Sequence, residues 1–331
     1  MTIYQPHRLS VAPMMDWTDR HCRHFHRLMT RRAMLYTEMV TAPAVIHGPR
    51  ERLLAYSDTE HPIALQLGGS DPVELAQAVR LAAPYGYDEV NLNVGCPSDR
   101  VQSGCFGAVL MERPGLVADC VAAMIDNSAV PVTVKCRIGV DDQDPEQVLP
   151  HFLEKVSAAG VTHFIIHARK AWLKGLSPKE NRDIPPLDYP LVLRMKQQFP
   201  RLTICINGGI TSLDQAKEFL DQGLDGVMLG RAAYHDPASV LIGADALWGA
   251  SAGGGAGRDA LQTVDDMRPY IVAHLASGGR LHQITRHMLG LFHGRPGARG
   301  WRRVLSDQAN RPGAGLDVLD AALDELHANG A

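Results

Sequence analysis

The sequence predicts an α/β protein: a (β/α)8 TIM barrel followed by a small C-terminal all-α unit. Three observations carry that prediction. Eight short β-rich runs recur through the first three quarters of the chain, helical stretches separate them, and a glycine-rich break then gives way to helices alone.

The β-rich runs are Leu9–Met15, Ala33–Met39, Pro62–Gly69, Glu89–Pro97, Pro131–Gly139, Thr162–Arg169, Arg201–Gly209 and Gly226–Ala233. Most are nearly continuous apolar runs, as expected of parallel strands buried on both faces. Helical patterns lie between them, for example Pro72–Ala83, Leu116–Asn127, Pro145–Ala159 and Leu213–Gln222. A doubly wound sheet rarely needs eight strands and usually carries GxGxxG after its first; that motif is absent. The catalytic barrel is expected to span residues 1–247 and the helical unit residues 258–331, joined through the low-complexity Ser251-Ala-Gly-Gly-Gly-Ala-Gly257. In the second unit, Asp259–Gly278, Leu281–His293, Arg299–Gln308 and Leu316–Ala328 read as helices.

Composition narrows the class. With 331 residues, 45% hydrophobic and 21% charged, the chain is long enough for one large domain and a smaller one. No apolar run reaches the ~18 residues needed to span a bilayer, and the N-terminus has no signal-peptide pattern. A cytoplasmic, monomeric protein is expected. Six scattered cysteines without a CxxC pair argue against disulfides and structural zinc. The net charge of −3 hides an asymmetry: Met267–Ser306 carries seven Arg and no other charged residue, leaving −10 on the rest. A basic segment on an acidic protein suits a polyanionic partner or a solvated face.

In a barrel, the residues that act sit at the carboxyl ends of the strands. Those ends read Pro13-Met14-Met15-Asp16, Glu38, Gln66, Asn93 with Cys96, Lys135 with Arg137, His167 with Arg169, Asn207-Gly208-Gly209 and Gly230-Arg231. Eight polar ends converging on one rim make a binding site. The glycines after strands seven and eight let backbone N–H groups approach a phosphate, and Arg231 adds a forked donor. Lys135 lies in an apolar strand where a lysine needs a partner; it is either a Schiff-base lysine or a fixed cation facing a developing anion. With Gln66, His167 and a phosphate site, it resembles the lining of an FMN pocket. Cys96 stands at the break Val94-Gly-Cys-Pro97, held by a proline and flanked by amides. No metal site is expected. His21, His24 and His26 follow the helix-start signal Asp16-Trp-Thr-Asp19, do not share one helical face, and lack the carboxylate of HExxH. Cys105, Cys120, Cys136 and Cys205 read as buried hydrophobes, with Cys105 in a glycine-bounded loop that could approach Cys96. In the helical unit, Arg280, Arg286, Arg295, Arg299, Arg302 and Arg303 interleave with His282, His287, Phe292 and Trp301. Arg299 and Arg302, three apart, share a helix face suited to phosphate contacts.

Ser10-Val-Ala-Pro-Met-Met-Asp-Trp-Thr-Asp-Arg20, Tyr36-Thr-Glu-Met39, Leu65-Gln-Leu-Gly-Gly69, Asn91-Leu-Asn-Val-Gly-Cys-Pro-Ser-Asp-Arg100, Ile206-Asn-Gly-Gly209 and Gly230-Arg231 resemble the tRNA-dihydrouridine synthases. Ile166-His-Ala-Arg-Lys-Ala-Trp172, Leu176-Ser-Pro-Lys-Glu-Asn-Arg182 and Arg286-His-Met-Leu-Gly290 resemble their A subfamily, over nearly the full length. The resemblance implies an FMN-bound barrel that uses NADPH to reduce uridines 20 and 20a of the tRNA D-loop. It implies FMN contacts by Pro13, Met14, Met15, Gln66, Lys135, His167, Asn207, Gly208, Gly209, Gly230 and Arg231, and Cys96 as proton donor. Asn93 would contact the uridine, and Arg182, Arg299 and Arg302 would orient the tRNA. Two rivals predict different behaviour. A flavin barrel acting on a free pyrimidine leaves the basic helical unit without a purpose, and a non-catalytic RNA-binding protein has no need of the thiol, lysine and histidine together.

Overall fold

The computed structural model describes residues 5–98, 106–249 and 259–330. Eight parallel strands close a barrel: β1 (Leu9–Val11), β2 (Met34–Tyr36), β3 (Ile63–Gly68), β4 (Glu89–Val94), β5 (Val132–Arg137), β6 (His163–His167), β7 (Thr203–Asn207) and β8 (Gly226–Leu229). Each pairs with the next in sequence, and β8 returns to β1 through Leu9↔Val227, Ser10↔Met228 and Val11↔Leu229. A two-residue strand, Val40–Thr41, extends the β3 edge. Every strand run expected from the sequence is present; the observed strands are shorter than the expected runs, and Gln66, Asn93, Lys135, Arg137, His167 and Asn207 stay in the ladder at or near their carboxyl ends. The main helices of the barrel are α1 (Arg20–Met29), α2 (Ala42–His47), α3 (Pro72–Ala82), α4 (Pro114–Ile125), α5 (Pro145–Ala158), α6 (Tyr189–Gln198) and α7 (Leu213–Asp221) between strands and α8 (Arg231–His235) after the last, with further single-turn helices at Arg50–Leu54 and Pro237–Leu241.

Local chemistry sets where these helices begin. Asp71 accepts from the N–H groups of Val73 and Glu74 at 2.8 and 3.0 Å, with Pro72 at the first helical position. Asp144 and Pro145 repeat the device on α5. Such caps contribute about 1 kcal/mol each. The main core lies between sheet and helices, and a second, smaller one fills the barrel with Ala12, Met34, Tyr36, Ala64, Ile165, Cys205 and Met228. Above that apolar plug sits an upper polar layer that includes Gln66, Asn93, Lys135, His167 and Asn207. Below it sits a lower one of Glu89, Thr133 and His163, with His7 of the short helix Pro6–Arg8 against it.

Among the described residues, four helices make up the C-terminal unit: α9 (Ala260–Ala276), α10 (Leu281–Thr285), α11 (Ala298–Gln308) and α12 (Leu316–Gly330). The expected helix over Leu281–His293 stops at Thr285, and turns replace it through residue 293. There Gly290 docks on the barrel so closely that a Cβ would lie 2.4 Å from the carbonyl oxygen of His235. The docking contact wins over helical propensity. The expected break over Ser251–Gly257 lies outside the described residues. Among the described residues, no helix is long and apolar enough to cross a membrane.

The helices are fastened to α1 and α8. Asp19 caps α1 and also accepts from Arg286 and His287. Burial acts to raise its carboxyl pKa, but the bonds from His287, the Cys22 N–H and Arg286 hold it well below the carboxylate range. Tyr270 bonds His21 Nδ1 at 2.8 Å and stacks on His24 at 3.9 Å, while His26 lies buried beside Cys22. The histidine-rich run therefore builds a helix–helix contact.

Candidate active site

One side of the upper polar layer is a bonded network centred on Gln66 and Asn93. Gln66 Nε2 donates to Asn91 Oδ1 and its Oε1 accepts from Asn93 Nδ2, both at 2.8 Å. Asn93 Oδ1 in turn accepts from the backbone N–H groups of Gly95 and Cys96, each at 3.0 Å. The break after β4 is thus held as an Asx-type turn, which sets Cys96 over the mouth. From the other side, Arg137 Nε donates to Gly95 O at 3.0 Å, and its Nη1 reaches Lys170 O and Asn181 O. Cys96 is half-buried, its Sγ 3.5 Å from Ser98 Oγ. Cys105, expected to approach Cys96, lies outside the described residues.

Asn93, Lys135 and Ile165 are register neighbours on β4, β5 and β6, as are Arg137, His167 and Asn207 on β5, β6 and β7. Lys135 therefore lies across from Asn93, beneath the thiol. Among the described residues its Nζ forms no hydrogen bond or ion pair. Burial, with Arg137 adding repulsion, lowers its pKa to about 8. His167 is buried, and burial together with Arg137, Lys135, Arg169 and Arg231 holds its pKa well below the usual histidine value, so its ring is neutral. Four cations around one neutral ring make the mouth electropositive, and Lys135, without a partner among the described residues, fits an anionic ligand.

The remaining rim follows the expected order. Asn207 Nδ2 donates to Met228 O at 2.8 Å, fixing β7 to β8. Gly208 and Gly209 take φ of +112° and +69°, a path open to residues without a side chain. Gly230 begins α8 near the β1 loop, its notional Cβ 4.0 Å from Met14 Sδ. Pro13 and Met14 are half-buried, and Met15 is 56% exposed. Glu38 accepts from the Asp16 N–H, tying the loops after β1 and β2 together. Arg231 is engaged: its Nη2 lies 2.7 Å from Asp183 Oδ1 and 3.3 Å from Arg182 O. A phosphate there would share or displace Asp183.

Two groups read from sequence are arranged differently from expectation. Phe292, Trp301 and His287 are buried in the helical unit's core, with Trp301 Nε1 bonded to Met288 O, and Arg286 is paired with Asp19. The interleaved residues Phe292, Trp301 and His287 are therefore core rather than surface. Arg295, Arg299, Arg302 and Arg303 line an exposed groove around Glu325, which pairs with Arg303 at 2.9 Å. Arg299 and Arg302 lie on α11, which packs chiefly on α12. The sequence placed Arg137 on the rim without showing that it holds the loop after β4, and it left Asn91 and Asn181 without roles. Asn181, fully buried, holds the loop after β6 by bonds to Trp172, Leu176 and Ser177 and so sets Arg182. Its only sequence signal is an amide beside the charged pair Glu180 and Arg182.

Comparison with known proteins agrees with this geometry. The family model described as dihydrouridine synthase (Dus) matches residues 10–327. A protein of Vibrio parahaemolyticus serotype O3:K6 named tRNA-dihydrouridine(20/20a) synthase is 59% identical over 320 residues, covering 96% of this chain and 97% of its own. Proteins of the same name from Shewanella oneidensis and Escherichia coli K12 are each 59% identical over 317 residues. Both alignments cover 96% of this chain, with 93% and 90% of theirs. The motifs, the closed barrel and the near full-length identity lead to one conclusion: the chain belongs to the dihydrouridine synthase family.

Proposed function

We propose that the protein is an FMN-dependent tRNA-dihydrouridine synthase, using NADPH to saturate the C5–C6 bond of uridines 20 and 20a in the tRNA D-loop, as a cytoplasmic monomer. The observation that carries this reading is a thiol held by Asn93 and Arg137 over an electropositive barrel mouth. Lys135, unpaired among the described residues, the neutral His167 and the open backbone at Gly208–Gly209 suit a flavin nucleotide there. Pro13, Met14, Met15, Gln66, Lys135, His167, Asn207, Gly208, Gly209, Gly230 and Arg231 would hold it. When bound, FMN supplies the hydride, drawn from NADPH, that adds to uracil C6.

Hydride addition at C6 leaves the electron pair on C5, conjugated with the C4 carbonyl. Cys96 Sγ gives its proton to C5, completing the saturated ring. Asn93 Nδ2 spends one N–H on Gln66, and its second N–H is left to orient the base. The uridine must leave the RNA stack to reach this floor, which costs a few kcal/mol and least in a loop. Contacts elsewhere on the tRNA offset that cost. Arg182 at the rim, with Arg299 and Arg302 in the arginine groove, would make them through the phosphate backbone, giving residues 258–331 their role as a tRNA-recognition unit.

The test is Cys96→Ala assayed in two half-reactions. Flavin reduction by NADPH is expected to continue while dihydrouridine formation is lost; normal product yield would sink the proton-donor assignment. Mapping dihydrouridine in tRNA from cells lacking the protein tests the substrate. Both modifications are expected to disappear, and unchanged modification at both positions refutes the reading.

A further inference from the structure

At the closed end of the barrel, opposite Cys96, a second cluster of chemistry-bearing side chains plays no part in the reaction. We propose that His7, Glu89 and His163 form a divalent-metal site suited to zinc, which clamps the segment before β1 to β4 and β6. His7 Nε2 lies 3.4 Å from Glu89 Oε2, and His163 Nδ1 lies 3.8 Å from the same oxygen. All three ligand atoms fall within 4.8 Å of one another. A tetrahedral ion with bonds of about 2.0–2.1 Å separates its ligands by roughly 3.4 Å. One edge already has that length, the second is slightly longer, and a small shift of His7, on the short helix Pro6–Arg8, closes the third. Two imidazoles and a carboxylate are a recurrent zinc set, completed by water in the fourth position.

The surroundings are those of a built site. Glu89 Oε1 accepts from Tyr36 Oη and Thr133 Oγ1, both at 2.6 Å, so the carboxylate is fixed with Oε2 turned to the imidazoles. His163 Nε2 lies 3.2 Å from Cys205 Sγ. With Nε2 protonated and donating to that sulfur, the Nδ1 lone pair points at Glu89, the outer-shell arrangement that orients metal-binding histidines. Glu89 and His163 are 1% and 6% exposed, yet Glu89 Oε2 and His163 Nδ1 have no hydrogen-bond partner among the described residues. Buried polar atoms are rarely left so. A single proton shared between Glu89 and one imidazole satisfies two of the three facing atoms; one cation satisfies all three. The place also fits the role, since the amino-terminal face of a barrel serves stability and the opposite face serves chemistry.

The test uses the full-length protein, stripped with a chelator and titrated with Co²⁺ or Zn²⁺ alone. One equivalent of Co²⁺ is expected to give the visible absorption of a tetrahedral site, and Zn²⁺ to bleach it and raise the melting temperature. His7→Gln and His163→Gln should each weaken zinc affinity at least about tenfold, the scale on which even outer-shell changes act. Because His163 is deep in the barrel, His7→Gln is the decisive variant: its site is partly exposed, and its fold is checked by circular dichroism. A wild-type protein with no cobalt spectrum and no zinc-dependent melting shift overturns the proposal, as does His7→Gln binding zinc as tightly as wild type. Neither readout depends on flavin or tRNA.

Discussion

Gly208→Ala probes the joint between the phosphate-side loop and His167. A Cβ on Gly208 would lie 2.5 Å from His167 Cδ2, 2.9 Å from its Nε2 and 3.1 Å from Leu187 Cδ2. Carbon atoms pack at about 3.5–4.0 Å, so the imidazole must retreat by about 1 Å. That ring is buried between β5 and β7, and overpacking of this kind costs about 1–3 kcal/mol. The φ of +112° adds backbone strain, on the order of 1–3 kcal/mol for a residue with a side chain. The sum, roughly 2–6 kcal/mol, corresponds to a fall in melting temperature of several degrees at about 2 °C per kcal/mol for a long chain. A displacement of about 1 Å in a site that positions reactants costs on the order of a hundredfold in rate. Thermal unfolding of flavin-free protein and a flavin-binding titration measure the two effects separately. Wild-type melting together with wild-type flavin affinity refutes the reasoning. Gly230→Ala is the control, because its Cβ would lie 3.9 Å from Ala12 Cβ, an ordinary contact. Loss of flavin there with little change in packing would come from the ligand's own approach.

Three further perturbations follow from the same geometry. Asp19→Ala removes a helix cap worth about 1 kcal/mol and leaves the buried His287 unpaired, so a total loss of roughly 2–4 kcal/mol is expected in denaturant unfolding. Asp19→Asn keeps the cap and loses only the charge, so it should lose less than Asp19→Ala but remain less stable than wild type; wild-type stability in Asp19→Asn refutes the contribution of the pairing with Arg286 and His287. Lys135 titrates near 8 in the folded chain against 10.5 as its ordinary value. Its pKa is lowered on folding, so between those values the unfolded chain holds a proton that the folded chain lacks, and stability gains with rising pH. The gain is at most about 3 kcal/mol, less because Lys135 keeps some solvent contact, and Lys135→Met should remove it from flavin-free unfolding curves. Flavin affinity should likewise fall above pH 8 in wild type as the cation is lost, and not in Lys135→Met. Replacing Arg299 and Arg302 together should weaken tRNA binding and lower its salt slope by ~1–2 units; an unchanged slope counts against the groove.

The barrel was legible because each strand carries its own apolar run, and because rim residues follow their strands directly. Gln66, Lys135, His167 and Gly208–Gly209 could be read off strand ends without knowing what they touch. The interleaving of arginines with aromatics did not show which side chains reach solvent, because residues along 286–303 divide between surface and core. Trp301 is buried while its neighbour Arg302 is exposed, because successive residues of α11 lie about 100° apart around the helix. The early stop after Thr285 was invisible for a related reason: nothing local ends that helix, and the His235 carbonyl that Gly290 meets is far away in the chain.

By itself the sequence determined the periodicity, the order of rim residues and the thiol motif, all of which are local properties of the chain. Closure of the barrel decided the rest. It put Asn93 across from Lys135 and let Arg137 of β5 hold the loop after β4 by a bond to Gly95. It also carried Glu89 and His163, one on β4 and one on β6, to within reach of His7. Pattern and spacing record what neighbours along the chain can do. Hydrogen bonds, charge repulsion and ligand geometry depend on distances of a few ångströms between segments that only the folded barrel brings together.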